Sequence, residues 1–262
     1  MGAQVGCAAC HQDCQRGANA DPHTGKCVFG DGVTYQGEWL GSMRHGNGTQ
    51  VWPGGSSYEG QWVKNKAHGH GRYRFGCGDM YEGEWSDDRL HGHGKYFHSD
   101  GSMYEGQFVD DRQEGEGAEA WPDGARYEGQ YKKGMKHGRG RFSWPDGSSY
   151  EGEMRENYLH GEGHYCFSEG REHIGQWARN KMHGEGVFTW SDGRVYRGQY
   201  VEDEKEGYGV FRWPDGRVYD GQWKSGRQHG NGVHTTADGV TAKSCWVNGK
   251  RASEEGDDTS LT

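Results

Sequence analysis

Polar and apolar residues alternate along this chain in short runs that restart at a fixed interval. In Tyr58-Glu59-Gly60-Gln61-Trp62, Tyr58, Gly60 and Trp62 share one side while Glu59 and Gln61 share the other. A period of two is the mark of a strand with one covered face. In Gly69-His70-Gly71-Arg72-Tyr73-Arg74-Phe75, the glycines, Tyr73 and Phe75 line one face and Arg72 and Arg74 the other. These two runs predict a hairpin, with Val63 to His68 as its loop and Gly76 to Met80 as the turn into the next unit. Elsewhere that turn reads Pro-Asp-Gly, at Pro122-Asp123-Gly124, Pro145-Asp146-Gly147 and Pro214-Asp215-Gly216, a strong turn signal.

The hairpin recurs every 23 residues. Tyr-x-Gly opens at Tyr35, Tyr58, Tyr81, Tyr104, Tyr127, Tyr150, Tyr196 and Tyr219, and His173 holds the missing place in register. Gly-x-Gly follows on the same beat from Gly46/Gly48 to Gly230/Gly232, and a tenth unit survives as Trp246, 23 residues after Trp223. Self-similarity at this period is the signature of a repeat architecture. The expected fold is all-β: an elongated single-layer antiparallel sheet of about ten hairpins, with one aromatic and one charged face. A two-strand unit advances about 9–10 Å, so ten units would span about 90–100 Å. The divisions are residues 1–26 as a flexible segment, 27–248 as the repeat array and 249–262 as a disordered acidic tail with Glu254, Glu255, Asp257 and Asp258.

Composition changes the picture in two ways. Only 31% of the 262 residues are hydrophobic, too few for a thick two-layer core, yet 13% are aromatic and 49 are glycine. Disordered chains are poor in aromatics, so the rings pack in a thin layer where glycine leaves room for them. A net charge of -9 disfavours nucleic acid, which asks for a basic surface. The seven cysteines, without a secretory signal, are read as free thiols in a reducing compartment.

Tyr-Glu-Gly-Gln-Trp, then His-Gly-x-Gly, then Asp-Gly at a period of 23 resembles the MORN repeat (membrane occupation and recognition nexus), over about 220 of the 262 residues. The resemblance implies a β-hairpin sheet with a groove, acting as a scaffold or targeting module at membranes, cytoskeleton or cilia. It also implies a homodimer through terminal repeats.

Catalytic and metal chemistry find little support. His45, His68, His91, His137, His160, His183 and His229 precede the Gly-x-Gly, but successive ones lie about 9–10 Å apart. Ligands of one zinc sit about 2.0–2.1 Å from the metal. The ladder reads as structural, hydrogen-bonding turn carbonyls, with Glu114 and Glu206 as stand-ins. Glu59, Glu82, Glu105, Glu128 and Glu151 read as cross-strand partners of Arg or Lys. No nucleophile–base–acid set repeats, and no glycine-rich run opens a helix as a phosphate cradle would. The chain is therefore expected to be no enzyme, with no cofactor and no metal.

The N-terminus carries the other signal. Cys7-Ala8-Ala9-Cys10-His11 matches a haem attachment motif without a haem pocket, and zinc on Cys7, Cys10, Cys14 and His11 or Cys27 has workable spacing. Acylation fits best: Gly2 follows Met1 as myristoylation demands, although position 6 is Gly rather than Ser or Thr. One acyl chain binds membranes only marginally, which makes Cys7 and Cys10 the natural palmitoylation sites. The leading function is a membrane-tethered scaffold that offers an aromatic groove to a protein partner at the cytoplasmic face of a membrane or cortical cytoskeleton. A ciliary or microtubule-associated structural protein is one alternative. A phosphoinositide-binding module using Lys132, Lys133, Lys136, Arg139 and Arg141 is another. From the fourth to the seventh unit the pattern breaks: Phe108, Tyr131 and Met154 replace the Trp that closes the first strand, and His173 replaces the opening Tyr. Smaller side chains there would widen the groove, placing an amphipathic partner helix across Phe108, Tyr131, Tyr150, Met154 and Trp177.

Overall fold

A computed structural model describes residues 15–16 and 24–252. The chain divides into two units, Met1–Gly138 and Arg139–Thr262. In the first lie β1 (Gln15–Arg16), β2 (Thr24–Val28), β3 (Thr34–Leu40), β4 (Met43–Val51), β5 (Ser57–Val63), β6 (Lys66–Arg74), β7 (Met80–Ser86), β8 (Arg89–Phe97), β9 (Met103–Val109), β10 (Arg112–Ala120) and β11 (Arg126–Lys132). β12 (Met135–Ser143) runs through the division. In the second lie β13 (Ser149–Arg155), β14 (Tyr158–Cys166), β15 (Glu172–Ala178), β16 (Lys181–Thr189), β17 (Val195–Val201), β18 (Glu204–Arg212), β19 (Val218–Lys224), β20 (Arg227–Thr235), β21 (Thr241–Val247) and β22 (Lys250–Arg251). Among the described residues there is no helix, and within each unit consecutive strands pair antiparallel. The all-β sheet of repeated hairpins expected from the alternation is the fold observed.

Strands reach into both flanking segments: β1 and the start of β2 lie before residue 27, and β22 lies after 248. Gly2, Cys7, Cys10 and the acidic residues 254–258 lie outside the described residues. Cys27, expected as a free thiol, is disulfide-bonded and wholly buried. Cys77, Cys166 and Cys245 are free.

The hairpin loop is shorter than the six residues the sequence suggests. β5 continues to Val63 and β6 starts at Lys66, leaving Lys64 and Asn65 at φ 48° and 72°. Two successive residues of positive φ make the tight turn whose twist matches a hairpin. Six residues become two because a bulge takes up the slack: Gly60 faces Gly71, but Trp62 faces Ala67. Gly69 sits in that bulge at φ 64°, a conformation glycine adopts without strain.

The histidine ladder is therefore not in loops. His45 lies in β4 and its Nδ1 accepts a hydrogen bond from the Lys64 amide at 3.5 Å. Glu114 and Glu206 accept from Lys133 N and Ser225 N, each at 2.8 Å. At these three positions the side chain takes up a turn N–H rather than a turn carbonyl, the reverse of the expected role. A carboxylate accepts as an imidazole nitrogen does, which explains why Glu and His interchange. The Glu–Arg and Glu–Lys pairs do form on the polar face, Arg72–Glu82 at 2.9 Å and Lys95–Glu105 at 3.1 Å.

Glycine faces glycine across the strands, from Gly37–Gly48 to Gly117–Gly129 in the first unit and from Gly152–Gly163 to Gly221–Gly232 in the second. A Cβ on Gly71 would meet the Tyr58 ring at 2.4–2.6 Å, so the tyrosine lies flat on the glycine rail. Tyr58 Oη donates to Gln61 O at 2.9 Å, and Trp62 Nε1 donates to Gly48 O at 3.0 Å. Buried ring hydroxyls and indole N–H groups need such partners. An opening tyrosine stands edge-on between two rings wherever both neighbours are aromatic: Tyr58 meets Trp62 at 5.0 Å and Trp85, one repeat on, at 5.2 Å. Edge-to-face pairs add roughly 0.5–1.5 kcal/mol beyond burial. Stability is thus handed from each unit to its neighbour.

Candidate binding surface

The five residues expected to line a groove lie in the interior. Phe108 and Tyr131 in the first unit are 3% and 4% exposed. In the second, Tyr150, Met154 and Trp177 are 0%, 4% and 6% exposed. Each occupies a ring-layer position: Phe108 packs edge-on to Tyr81 and Tyr104 at 5.2 and 5.1 Å. These side chains therefore offer almost no surface to a partner.

A different row of rings stays half-buried. It comprises the aromatic on the second strand of each hairpin and the one that leads into the following turn. In the second unit Phe142, Trp144, Tyr165, Phe167, Phe188, Trp190, Phe211 and Trp213 form an unbroken series with successive centroids 4.4 to 5.7 Å apart. Phe188 and Phe211 are buried; the other six are half-buried. The first unit has a shorter series, Trp52, Tyr73, Phe75, Tyr96 and His98, with steps of 4.5 to 5.7 Å. Glu119 ends it where a ring would follow. The sequence carried this row: Trp144, Trp213 and Trp121 directly precede Pro-Asp-Gly, and Phe75, Phe167 and Trp190 keep the period of 23. The Tyr-x-Gly positions drew attention away from it because they are more regular.

Cations are set into this layer. Lys136 Nζ lies 4.8 Å from the Trp121 ring and 2.5 Å from Glu119 Oε2. One member of the basic cluster suggested for phosphoinositides is thus turned into the aromatic side. Lys205 Nζ lies 4.9 to 5.5 Å from the rings of Trp223, Phe211, Trp190 and Tyr196. Burial, then the nearby Arg194 charge, holds its ammonium below the ordinary lysine range. Arg194 and Arg217 lie 5.3 Å from the Trp190 and Trp213 rings, each bonded to its turn aspartate. A cation over a ring face is attracted by the ring quadrupole. The surface is therefore apolar and edged by Arg–Asp pairs, with the Lys205 ammonium set among its rings.

A ladder of 23-residue hairpins, a glycine rail and a ring layer define a β-hairpin repeat protein. The family model for the MORN repeat matches nine consecutive segments, from residues 35–57 to residues 219–241. The chain belongs to the MORN repeat family. Among curated proteins none matches it. Solved structures with some similarity include the G-box domain of the microcephaly protein CPAP, at 13% identity over 77% of this chain and 100% of that one, with a TM-score of 0.29. The TCP domain of SAS-4 in complex with a proline-rich motif of Ana2, from Drosophila melanogaster, is 11% identical over 79% and 95%, TM-score 0.28. The TCP10 domain of Danio rerio CPAP is 12% identical over 87% and 91%, TM-score 0.26. Superposition at this level carries no argument about fold or partner.

Proposed function

We propose that the chain is a non-enzymatic scaffold at the cytoplasmic face of a membrane or the cortical cytoskeleton. Acyl chains on Gly2, Cys7 and Cys10 hold it there, and the ring row of the second unit takes an amphipathic helix of a protein partner. The observation that carries this reading is the unbroken series of eight rings, six of them half-buried. Exposed apolar strips rimmed by polar groups mark interaction sites. The spacing suits a helix. Seven helical residues advance about 10.5 Å, and one two-strand unit about 9.4–9.8 Å. Successive apolar turns of a heptad helix would thus meet successive ring pairs, with Lys205 beside them to receive an acidic side chain.

A photoreactive amino acid at Trp213, incorporated into the full chain in its native cells, tests the site. The expected product is a covalent adduct whose peptide maps to an amphipathic helical segment of one protein. Adducts to lipid alone, or to extended segments of many proteins, overturn the helix reading. Gly2→Ala tests the tether separately: the variant should move to the soluble fraction, and unchanged fractionation refutes acylation.

A further inference from the structure

We propose that His164, Cys166 and Glu172 form a surface site for a zinc-class divalent cation. His164 and Cys166 are two apart on β14 and so share a face, and Glu172 on β15 stands directly opposite Cys166. The ligand atoms converge. His164 Nε2 is 3.0 Å from Glu172 Oε2 and 3.2 Å from Cys166 Sγ, and all three lie within 4.8 Å of one another. Zinc bonds of about 2.0–2.3 Å in a tetrahedron put ligand atoms about 3.3–3.7 Å apart. Side-chain shifts of up to about an ångström would therefore seat the ion.

The pattern of contacts separates this reading from a catalytic relay. In a thiol–imidazole–carboxylate relay the carboxylate holds one ring nitrogen and leaves the other to the nucleophile. Here the carboxylate and the sulfur both meet Nε2, and an imidazole nitrogen has one proton or one lone pair to give. Three donors aimed at one point are better served by a cation. The set of thiolate, imidazole and carboxylate selects a borderline-soft ion such as Zn²⁺ over Mg²⁺ or Ca²⁺, which take oxygen alone. All three residues are half-buried, so the site is open to solvent. Glu151, opposite His164 on β13, stands beside it and can supply the fourth ligand in place of a water.

The trio is particular to one repeat. One unit earlier its places are held by Arg141, Ser143 and Ser149, and one unit later by Val187, Thr189 and Val195. This is also the stretch where His173 breaks the tyrosine series, so the departures from the repeat cluster here.

Cobalt(II) titration of the full reduced chain tests the site, because thiolate-bound cobalt gives a charge-transfer absorption that zinc then abolishes. The expected result is one bound equivalent whose absorption is lost in Cys166→Ser. In Glu172→Gln binding should weaken by about tenfold or more, while circular dichroism stays unchanged in both. The triple variant Cys7→Ser, Cys10→Ser, Cys14→Ser should keep the absorption. Absorption that survives Cys166→Ser, that disappears in the triple variant, or that never develops overturns the proposal.

Discussion

Each residue of the ring layer is fixed by what lies under and beside it, and His173 shows what happens when one is replaced. At the other opening positions a tyrosine hydroxyl donates to the carbonyl three residues on, as Tyr150 Oη does to Glu153 O at 2.8 Å. The imidazole of His173 is shorter, wholly buried between Trp177 and Tyr200 at 5.1 and 5.3 Å, and both its ring nitrogens lack a hydrogen-bond partner. Burial pushes its pKa down from 6.5 to about 4. Below about pH 6.5 the unfolded chain takes up a proton that the folded chain refuses until about pH 4. Stability is therefore intact above that window and falls as pH drops through it, by about 3 kcal/mol for this group. His173→Tyr should remove that fall and restore the bond to Gln176 O. Urea unfolding at pH 7.5 and pH 4.5 reads it: the variant should be the more stable at both, by a wider margin at pH 4.5. An equal margin at the two pH values would show that His173 is not the titrating group.

At the scale of the element, the two-residue turns join neighbouring hairpins. The second turn residue is Asn or Asp in six repeats, and the side chains of Asn65, Asp88, Asp111, Asn180 and Asp203 reach back to the preceding hairpin. Asn180 Oδ1 accepts from Leu159 N at 2.7 Å, and Asp111 Oδ1 accepts from Leu90 N at 2.9 Å. Asn180 also sits at φ 68°, which Asn tolerates better than most side chains. Two substitutions separate these contributions. Asn180→Gly keeps the backbone conformation and loses the bond, which should cost about 1 kcal/mol. Asn180→Ala loses the bond and adds the left-handed strain, about 2–3 kcal/mol in all. Denaturant midpoints measure both. If the two variants unfold together, the backbone conformation contributes nothing.

At the largest scale, the ring contacts within each unit join a strand to the next one or two along the sheet, so protection should follow local packing rather than a single global transition. The last hairpin is the weakest. Ala242 and Ser244 stand where other units have Tyr and Gly, and β21 is mostly exposed. Trp246 packs on Tyr219 at 5.6 Å with no partner for its indole N–H. In native-state hydrogen exchange, amides of β21 should exchange about tenfold or more faster than those of β17 to β19. There Tyr196, Tyr200, Phe211, Tyr219 and Trp223 form one buried cluster. Uniform protection across these strands would point to one cooperative block instead.

The sequence by itself determined the strands, their period, the faces and the family, because alternation and a 23-residue beat are properties of residue order. It also marked the Glu–Lys and Glu–Arg pairs, since strand register follows from the same beat. What it left open depends on how side chains settle against one another. The loop was read as six residues because a bulge at Gly69 is invisible in a pattern of two. The groove was placed on Phe108, Tyr131 and Met154 because a smaller residue reads as a space, whereas in a close-packed layer these side chains offer almost no surface. That the ring row stays half-buried, and that His164, Cys166 and Glu172 meet, came only from the tertiary structure. Whether a ring is covered, and whether donors on adjacent strands reach one point, depends on pairing and rotamer, which residue order does not state.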